Sequence, residues 1–265
     1  MTIVAMPLFV FFFGLFIGSF LNVVILRMNT GRSVVTGRSK CPHCNKTLAW
    51  YELLPVFSFI ALRGMCSKCK ARISFQYPLV ELVTALVFTI LYTMVVLPGN
   101  FTSLAMLSFV FNCIIAAVLI VIFAYDMRHK IIPDMAVYTF ILLAIASIVF
   151  KAFVLPGFHI GDAVFGGVAL ALPFFLLWYF SNGRLMGFGD VKFALGMGWL
   201  LGFAVGAAAL LLSFWIGGIV GLILIALSKK YRMTSEIPFA PFLILGTFIA
   251  GVWGITLTSL VGIWI

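Results

Sequence analysis

Apolar residues do not alternate with polar ones along this chain. They come in long runs, at about 4–26, 78–97, 103–125, 133–155, 161–180, 190–203, 206–227 and 238–263. Most of these runs are near the ~20 residues that an α-helix needs to cross ~30 Å of hydrocarbon. A transmembrane barrel would instead show short alternating segments. The pattern predicts an all-α polytopic membrane protein with about eight transmembrane helices. The sixth run is short, and its border with the seventh falls within GWLLGFAVGAAALL, where no polar residue marks it. The first run lacks a basic start and a small-residue cleavage site, so it reads as a retained span and not as a signal peptide. No internal repeat or low-complexity tract stands out.

One sizeable polar insert interrupts the runs, at 27–77. It holds nine basic residues: Arg27, Arg32, Arg38, Lys40, Lys46, Arg63, Lys68, Lys70 and Arg72. Placing it in the cytoplasm puts both termini outside across eight crossings. The loops carrying Arg128, Lys130, Arg184, Lys229, Lys230 and Arg232 then fall on the cytoplasmic side, with Lys192 just inside the next span. That places 16 of the 17 basic residues on one side, with only Lys151 toward the other. This is the positive-inside distribution, and it accounts for the net charge of +10 without any nucleic-acid partner. Composition agrees: the chain is 64% hydrophobic and 9% charged, against about 25% charged for a soluble domain. The expected organisation is a first transmembrane helix (1–26), a cytoplasmic module (27–77) and a transmembrane region (78–265).

The insert contains Cys41-x2-Cys44 and, after twenty-one residues, Cys66-x2-Cys69. Two such knuckles predict a tetrahedral zinc held by four thiolates, a closed structural site with no position left for hydrolysis. Two separate redox pairs are the alternative, which a reducing cytoplasm disfavours. His43 reads as a bystander, and Cys113, in the middle of a span, as a small apolar residue. Between the knuckles, AWYELLPVFSFIALRG is apolar enough to lie against the membrane surface.

Seven carboxylates exist: Glu52, Glu81, Asp126, Asp134, Asp162, Asp190 and Glu236. Asp134 after Pro133, Asp162 and Glu81 after Pro78 all suit the first turn of a helix, where the dipole favours an acid. Glu81 also lies near the cytoplasmic surface, where it could support a neighbouring group. Glu52 and Glu236 fall in polar stretches, where solvent or nearby bases suffice. Asp126 ends an apolar run, at the end of a helix where the dipole disfavours an acid. Arg128, His129 and Lys130 could compensate. Asp190 follows Gly187-Phe188-Gly189, glycines that allow a tight turn and close approach. Asp126 and Asp190 fall at similar depth on one face of the membrane. Two carboxylates in one low-dielectric site share a proton. One then activates water and the other protonates a carbonyl, which amounts to peptide hydrolysis without a metal or a nucleophilic side chain. No serine elbow, zinc-protease helix or phosphate loop is present. A proton-coupled membrane transporter is the alternative, since buried acids also serve as proton relays.

Six stretches carry a resemblance: GSFLNVVILR (18–27), CPHC through CSKC (41–69), YPLVE (77–81), YDMRHKIIPD (125–134), MGFGDVKF (186–193) and PFAPFL (238–243). In that order they resemble the bacterial type IV prepilin peptidases, the leader peptidase/N-methyltransferases of the GxGD aspartyl protease group. The resemblance implies that residues 78–265 form a transmembrane aspartyl protease domain with Asp126 and Asp190 as its catalytic pair. The implied substrates are prepilins or pseudopilins of type IV pili or type II secretion. Their short basic leaders would be cut on the cytoplasmic side of the bacterial inner membrane. It also implies N-methylation of the new N-terminus by S-adenosylmethionine. Gly18, Glu52 and Gly64 fall in stretches associated with methyl transfer. Glu81, Gly187, Gly189 and Lys192 are grouped with them as substrate- or methyl-donor-related positions.

Overall fold

The computed structural model describes residues 2–98, 102–227 and 237–262. Lys229, Lys230, Arg232 and Glu236 lie outside the described residues. Contacts divide the chain into two compact units, Met1–Ala124 and Tyr125–Ile265. Helices are the regular elements of both. Among the described residues β-pairing is limited to two isolated antiparallel bridges.

The first unit begins with α1 (Thr2–Arg27). A module follows, with a short 3-10 helix (Trp50–Leu53) and α2 (Phe57–Ala61). Then come α3 (Gln76–Val95) and most of α4 (Ser103–His129). Apolar helices in lipid gain little from the hydrophobic effect and associate through close backbone packing at small residues. In α1 that surface is Gly14-x3-Gly18. A Cβ on Gly14 would come within 2.6 Å of the Ala85 Cα, and one on Gly18 within 2.6 Å of the Glu81 Cα. Asn22 reinforces the pair by donating through Nδ2 to the Tyr77 carbonyl at 3.1 Å. Leu21 and Ile25 then meet Val80 and the α4 residues Ile120, Val121 and Ala124. Phe9, Phe12, Phe13, Phe16 and Phe20 are exposed along α1, which leaves an apolar aromatic face for lipid.

The second unit takes the end of α4, then α5 (Asp134–Val154), α6 (Ile160–Ser181), α7 (Phe188–Leu227), α8 (Ala240–Trp253) and α9 (Leu257–Val261). Among the described residues, six helices are long and apolar enough to cross a membrane. The last of these, α7, is not a rod. Gly202 has φ 78 and ψ 175, outside the helical region. A Cβ on Gly206 would lie 3.7 Å from the Gly198 Cα, although eight residues of continuous helix would separate them by about 12 Å. The chain therefore doubles back at Gly202 into arms 188–201 and 203–227. These arms match the two expected runs 190–203 and 206–227, and the unmarked border falls on this glycine. The expected eighth run, 238–263, is interrupted: Gly254 adopts φ 62 and ends α8 before α9 begins.

The hairpin is held by glycine contacts and by two charged side chains at its turn. Gly198 abuts the Gly166 carbonyl, and Gly166 abuts the Phe203 backbone. Gly246 of α8 lies against the Ala209 carbonyl and Ser213. Lys151, half-buried at the end of α5, donates to the Leu200 carbonyl at 2.6 Å. That carbonyl is among those the helix break frees from intrahelical bonding. Asp162 occupies the first turn of α6, as expected, and its Oδ2 also sits 2.7 Å from where a Gly202 Cβ would be.

A side chain at position 202 would meet both a left-handed backbone and the Asp162 carboxylate. Gly202→Ala is expected to cost about 1–3 kcal/mol in thermal unfolding of the micelle-bound protein. Gly161→Ala, where a Cβ meets open space, is expected to stay within about 0.5 kcal/mol of the parent.

Candidate active site and metal centre

Asp126 stands in the last turn of α4, with 4% of its surface exposed. Its carboxylate accepts from the backbone N–H of Ala240, the first residue of α8. The positive end of one helix thus compensates the unfavourable end of another, a role the sequence left to Arg128, His129 and Lys130. Asp126 Oδ2 is buried and finds no donor among the described residues. Such an orphan is rare for a buried acceptor and marks a place where another group belongs.

Asp190 is the third residue of α7 and is half-buried. Its carboxylate reaches back to accept from the Gly187 N–H, while its own N–H donates to the Gly187 carbonyl at 3.2 Å. This is half of a capping box, and it fixes which way the acid points. Asp126 and Asp190 lie close enough to act on each other's charge. The glycines contribute differently. A Cβ on Gly189 would come within 3.0 Å of Ile132, so Gly189 lets α7 start against the loop before α5. A Cβ on Gly187 would make only ordinary contact with Asp190, at 3.8 Å, so what Gly187 contributes is its backbone.

Lys192 does not join the two aspartates. It forms an ion pair with Asp134, at the start of α5. Its Nζ lies 4.8 Å from the centre of the Tyr138 ring and 5.5 Å from that of Phe188. Asp134 therefore has a partner beyond its first-turn placement.

In the first unit all four knuckle cysteines converge, with their sulfurs within 4.8 Å of one another. The pairs run between knuckles, Cys41 to Cys69 at 3.8 Å and Cys44 to Cys66 at 3.9 Å, so the thiols are not two separate redox couples. A tetrahedral ion with ~2.3 Å bonds to sulfur requires ~3.8 Å between ligands, so this donor set fits a metal. Each knuckle is built alike. Asn45 and Lys70, both at positive φ, donate to Cys41 and Cys66. The bridges Lys40 to Thr47 and Met65 to Arg72 close the two hairpins. Every equivalence is offset by 25 residues, a short internal repeat that only the two C-x2-C pairs revealed in the sequence.

Glu52 sits between the knuckles, buried. It accepts from Lys46 of the first knuckle at 2.7 and 3.0 Å, from Ser67 of the second, and from the Ala49 N–H at 2.8 Å. Its carboxyl is held at about 2, well below the ordinary value, chiefly by Lys46 and then by Ser67 and Ala49. Gly64 adopts φ 67 and is covered by the Phe59 ring. Gly18 and Glu81 touch across α1 and α3. Lys46, Ser67 and the start of α8 carried no role in the sequence. Proline 241 within PFAPFL, at the beginning of a helix, is the signal that free N–H groups would be found there.

The fold is thus that of a multi-pass membrane protein in which Asp126 and Asp190 lie near one another in one unit and four cysteines able to hold a metal ion converge in the other. Residues 12–95 match the bacterial peptidase A24 N-terminal domain, and residues 113–222 match the type IV leader peptidase family. An Aeromonas hydrophila prepilin leader peptidase/N-methyltransferase is 34% identical, over 94% of this chain and 91% of the relative. The Bacillus subtilis protein of the same name is 31% identical, over 94% and 95%. A type 4 prepilin-like proteins leader peptide-processing enzyme of Escherichia coli O78:H11 is 35% identical, over 91% and 92%. No solved structure matches. The chain belongs to the type IV prepilin leader peptidase family, which leaves no place for the transporter alternative.

The Lys46–Glu52–Ser67 cluster predicts a pH signature. A carboxyl held low in the fold stabilises above its unfolded value and loses that contribution as pH falls through its folded value. Replacing Glu52 by Gln is expected to cost the module about 1–3 kcal/mol. The gap between variant and parent should be constant above about pH 4.5 and shrink toward pH 2, read as the difference in urea unfolding.

Proposed function

We propose that this protein cleaves the leader from prepilins or pseudopilins through Asp126 and Asp190, and N-methylates the residue thereby exposed. The observation that carries the catalytic assignment is two carboxylates of unlike surroundings, near enough to act on each other's charge. Asp126 is held by one helix start with an oxygen unsatisfied, and Asp190 is aimed by its own capping turn. With one proton between them, the ionised carboxylate takes a proton from water as its oxygen adds to the scissile carbonyl carbon. The protonated one delivers its proton to the carbonyl oxygen. Collapse of the resulting gem-diol then expels the amine, protonated by the first carboxyl, while the second carboxylate takes back a proton from one of the diol's hydroxyls, restoring the one-proton pair. Gly187 orients Asp190, and Gly189 keeps the backbone close to Ile132. The pairing of Lys192 with Asp134 fixes the start of α7 against α5.

Four thiolates, Cys41, Cys44, Cys66 and Cys69, would hold a structural zinc that orders the module. S-adenosylmethionine would supply the methyl group. The residues associated with methyl transfer are already engaged within the chain, Glu52 by three donors and Gly18 and Gly64 by close neighbours. They shape the first unit more than they offer a ready cradle for the donor. The charge distribution supports a bacterial cytoplasmic membrane setting, with residues 27–77 and the aspartates toward the cytoplasm and both termini outside.

The test is a prepilin cleavage assay with mass analysis of the released N-terminus. Asp126→Asn and Asp190→Asn are each expected to lose about 10³-fold or more of the cleavage rate, while Asp134→Asn stays within about tenfold. Full cleavage by both active-site variants would sink the aspartyl mechanism. In the same preparations, metal analysis is expected to return one zinc per chain, lost in Cys66→Ser.

A further inference from the structure

Between the 3-10 helix and α2 the chain makes a turn that no local preference supports. Val56 adopts φ 62 and ψ −48. The Phe57 N–H donates to the Pro55 carbonyl, two residues back, at 2.6 Å. This is a γ-turn of the positive-φ kind, which is rare and strained. A β-branched residue is the least suited to it, and such strain persists only where the surroundings over-determine it.

What over-determines it is a carboxylate in α3. The Val56 N–H donates to Glu81 Oε2 at 2.8 Å. Glu81 is buried, and the Ser19 hydroxyl of α1 donates to the same carboxylate. Among the described residues no lysine or arginine pairs with it, so its partners are one backbone amide and one hydroxyl. The missing side chain of Gly18 lets α1 close over Glu81, which keeps water from competing. The turn sits where it matters. Upstream is Glu52, tying the two knuckles together. Downstream is α2, whose Phe59 ring lies over Gly64, 3.1 Å from where a Cβ there would be, and packs on Phe75 with ring centres 5.3 Å apart.

We infer that Glu81 is a positioning residue. It holds the strained Val56 turn and thereby fixes residues 50–61 on α1 and α3, and methyl transfer depends on that placement while leader cleavage does not. The last clause rests on the methylating activity proposed above.

The experiment uses the full chain in phosphatidylcholine/phosphatidylglycerol nanodiscs. It reads hydrogen–deuterium exchange by mass spectrometry and, on one prepilin substrate, cleavage and methylation separately. Glu81→Met keeps the shape and removes the acceptor. It is expected to speed exchange in 50–61 at least tenfold and leave 40–47, 65–72 and the zinc content unchanged. Methylation should fall at least tenfold and cleavage stay within twofold. Glu81→Gln retains a carbonyl acceptor and is expected to keep methylation within about threefold of the parent. Val56→Gly removes the conformational penalty, so in its background Glu81→Met should cost less than about threefold. Unchanged exchange in Glu81→Met, an equal loss with glycine at 56, or a parallel fall in cleavage would each overturn the inference. A parent that cleaves but never methylates would instead sink the methyl-transfer reading, and the exchange comparison would still decide the role of Glu81 in the turn.

Discussion

Helices in lipid cannot be driven together by hiding oil from water, so they are held where backbone can touch backbone. The closest helix contacts within the two units obey this constraint. Gly14 and Gly18 admit α3 to α1, Gly166 and Gly198 admit the first arm of α7 to α6, and Gly246 admits α8 to the second arm. The paired aspartates depend on these contacts. Asp190 rides on the first arm, whose position is set by Gly198 and by the turn at Gly202. Asp126 is steadied by the start of α8, whose position is set by Gly246. A bulky residue at either contact would move a carboxylate without touching it.

The six described carboxylates divide by what surrounds them. Glu52, Glu81, Asp134 and Asp190 accept hydrogen bonds that organise backbone or tie elements together. Asp162 lies against the turn of the α7 hairpin. Asp126 alone combines burial with an oxygen left without a donor among the described residues. An acid kept buried and incompletely satisfied contributes poorly to folding, which agrees with the catalytic role proposed for it.

Much of this was legible in the sequence because lipid narrows the possibilities. Runs of apolar residues announced the helices. The spacing of Cys41, Cys44, Cys66 and Cys69 announced their convergence. Asp126 stood out because dipole logic disfavoured it where it lies. What escaped was whatever depends on backbone groups and on partners distant in sequence. Nothing in AAVLIVIFAYD says that Ala240 will donate to its last residue. Nothing in ELLPVFS says that a valine will adopt positive φ because a glutamate twenty-five residues later receives its amide. Gly202 was hidden among many glycines in an apolar run, and only its dihedral angles distinguish it. Lys192 lies two residues from Asp190, yet two residues along a helix is more than half a turn away, and it faces Asp134.

The arm 188–201 and α8 are each fourteen residues long, about 21 Å of helix. That is roughly a third less than the ~30 Å of hydrocarbon that a full span crosses. Asp190 belongs to the first turn of one of these short helices, and Ala240, which holds Asp126, begins the other. A bilayer that such short helices fail to span suffers hydrophobic mismatch, which it relieves by thinning or by admitting polar material at their ends. On the aspartyl mechanism proposed above, the water for hydrolysis would then reach Asp126 and Asp190 through a local dent in the membrane.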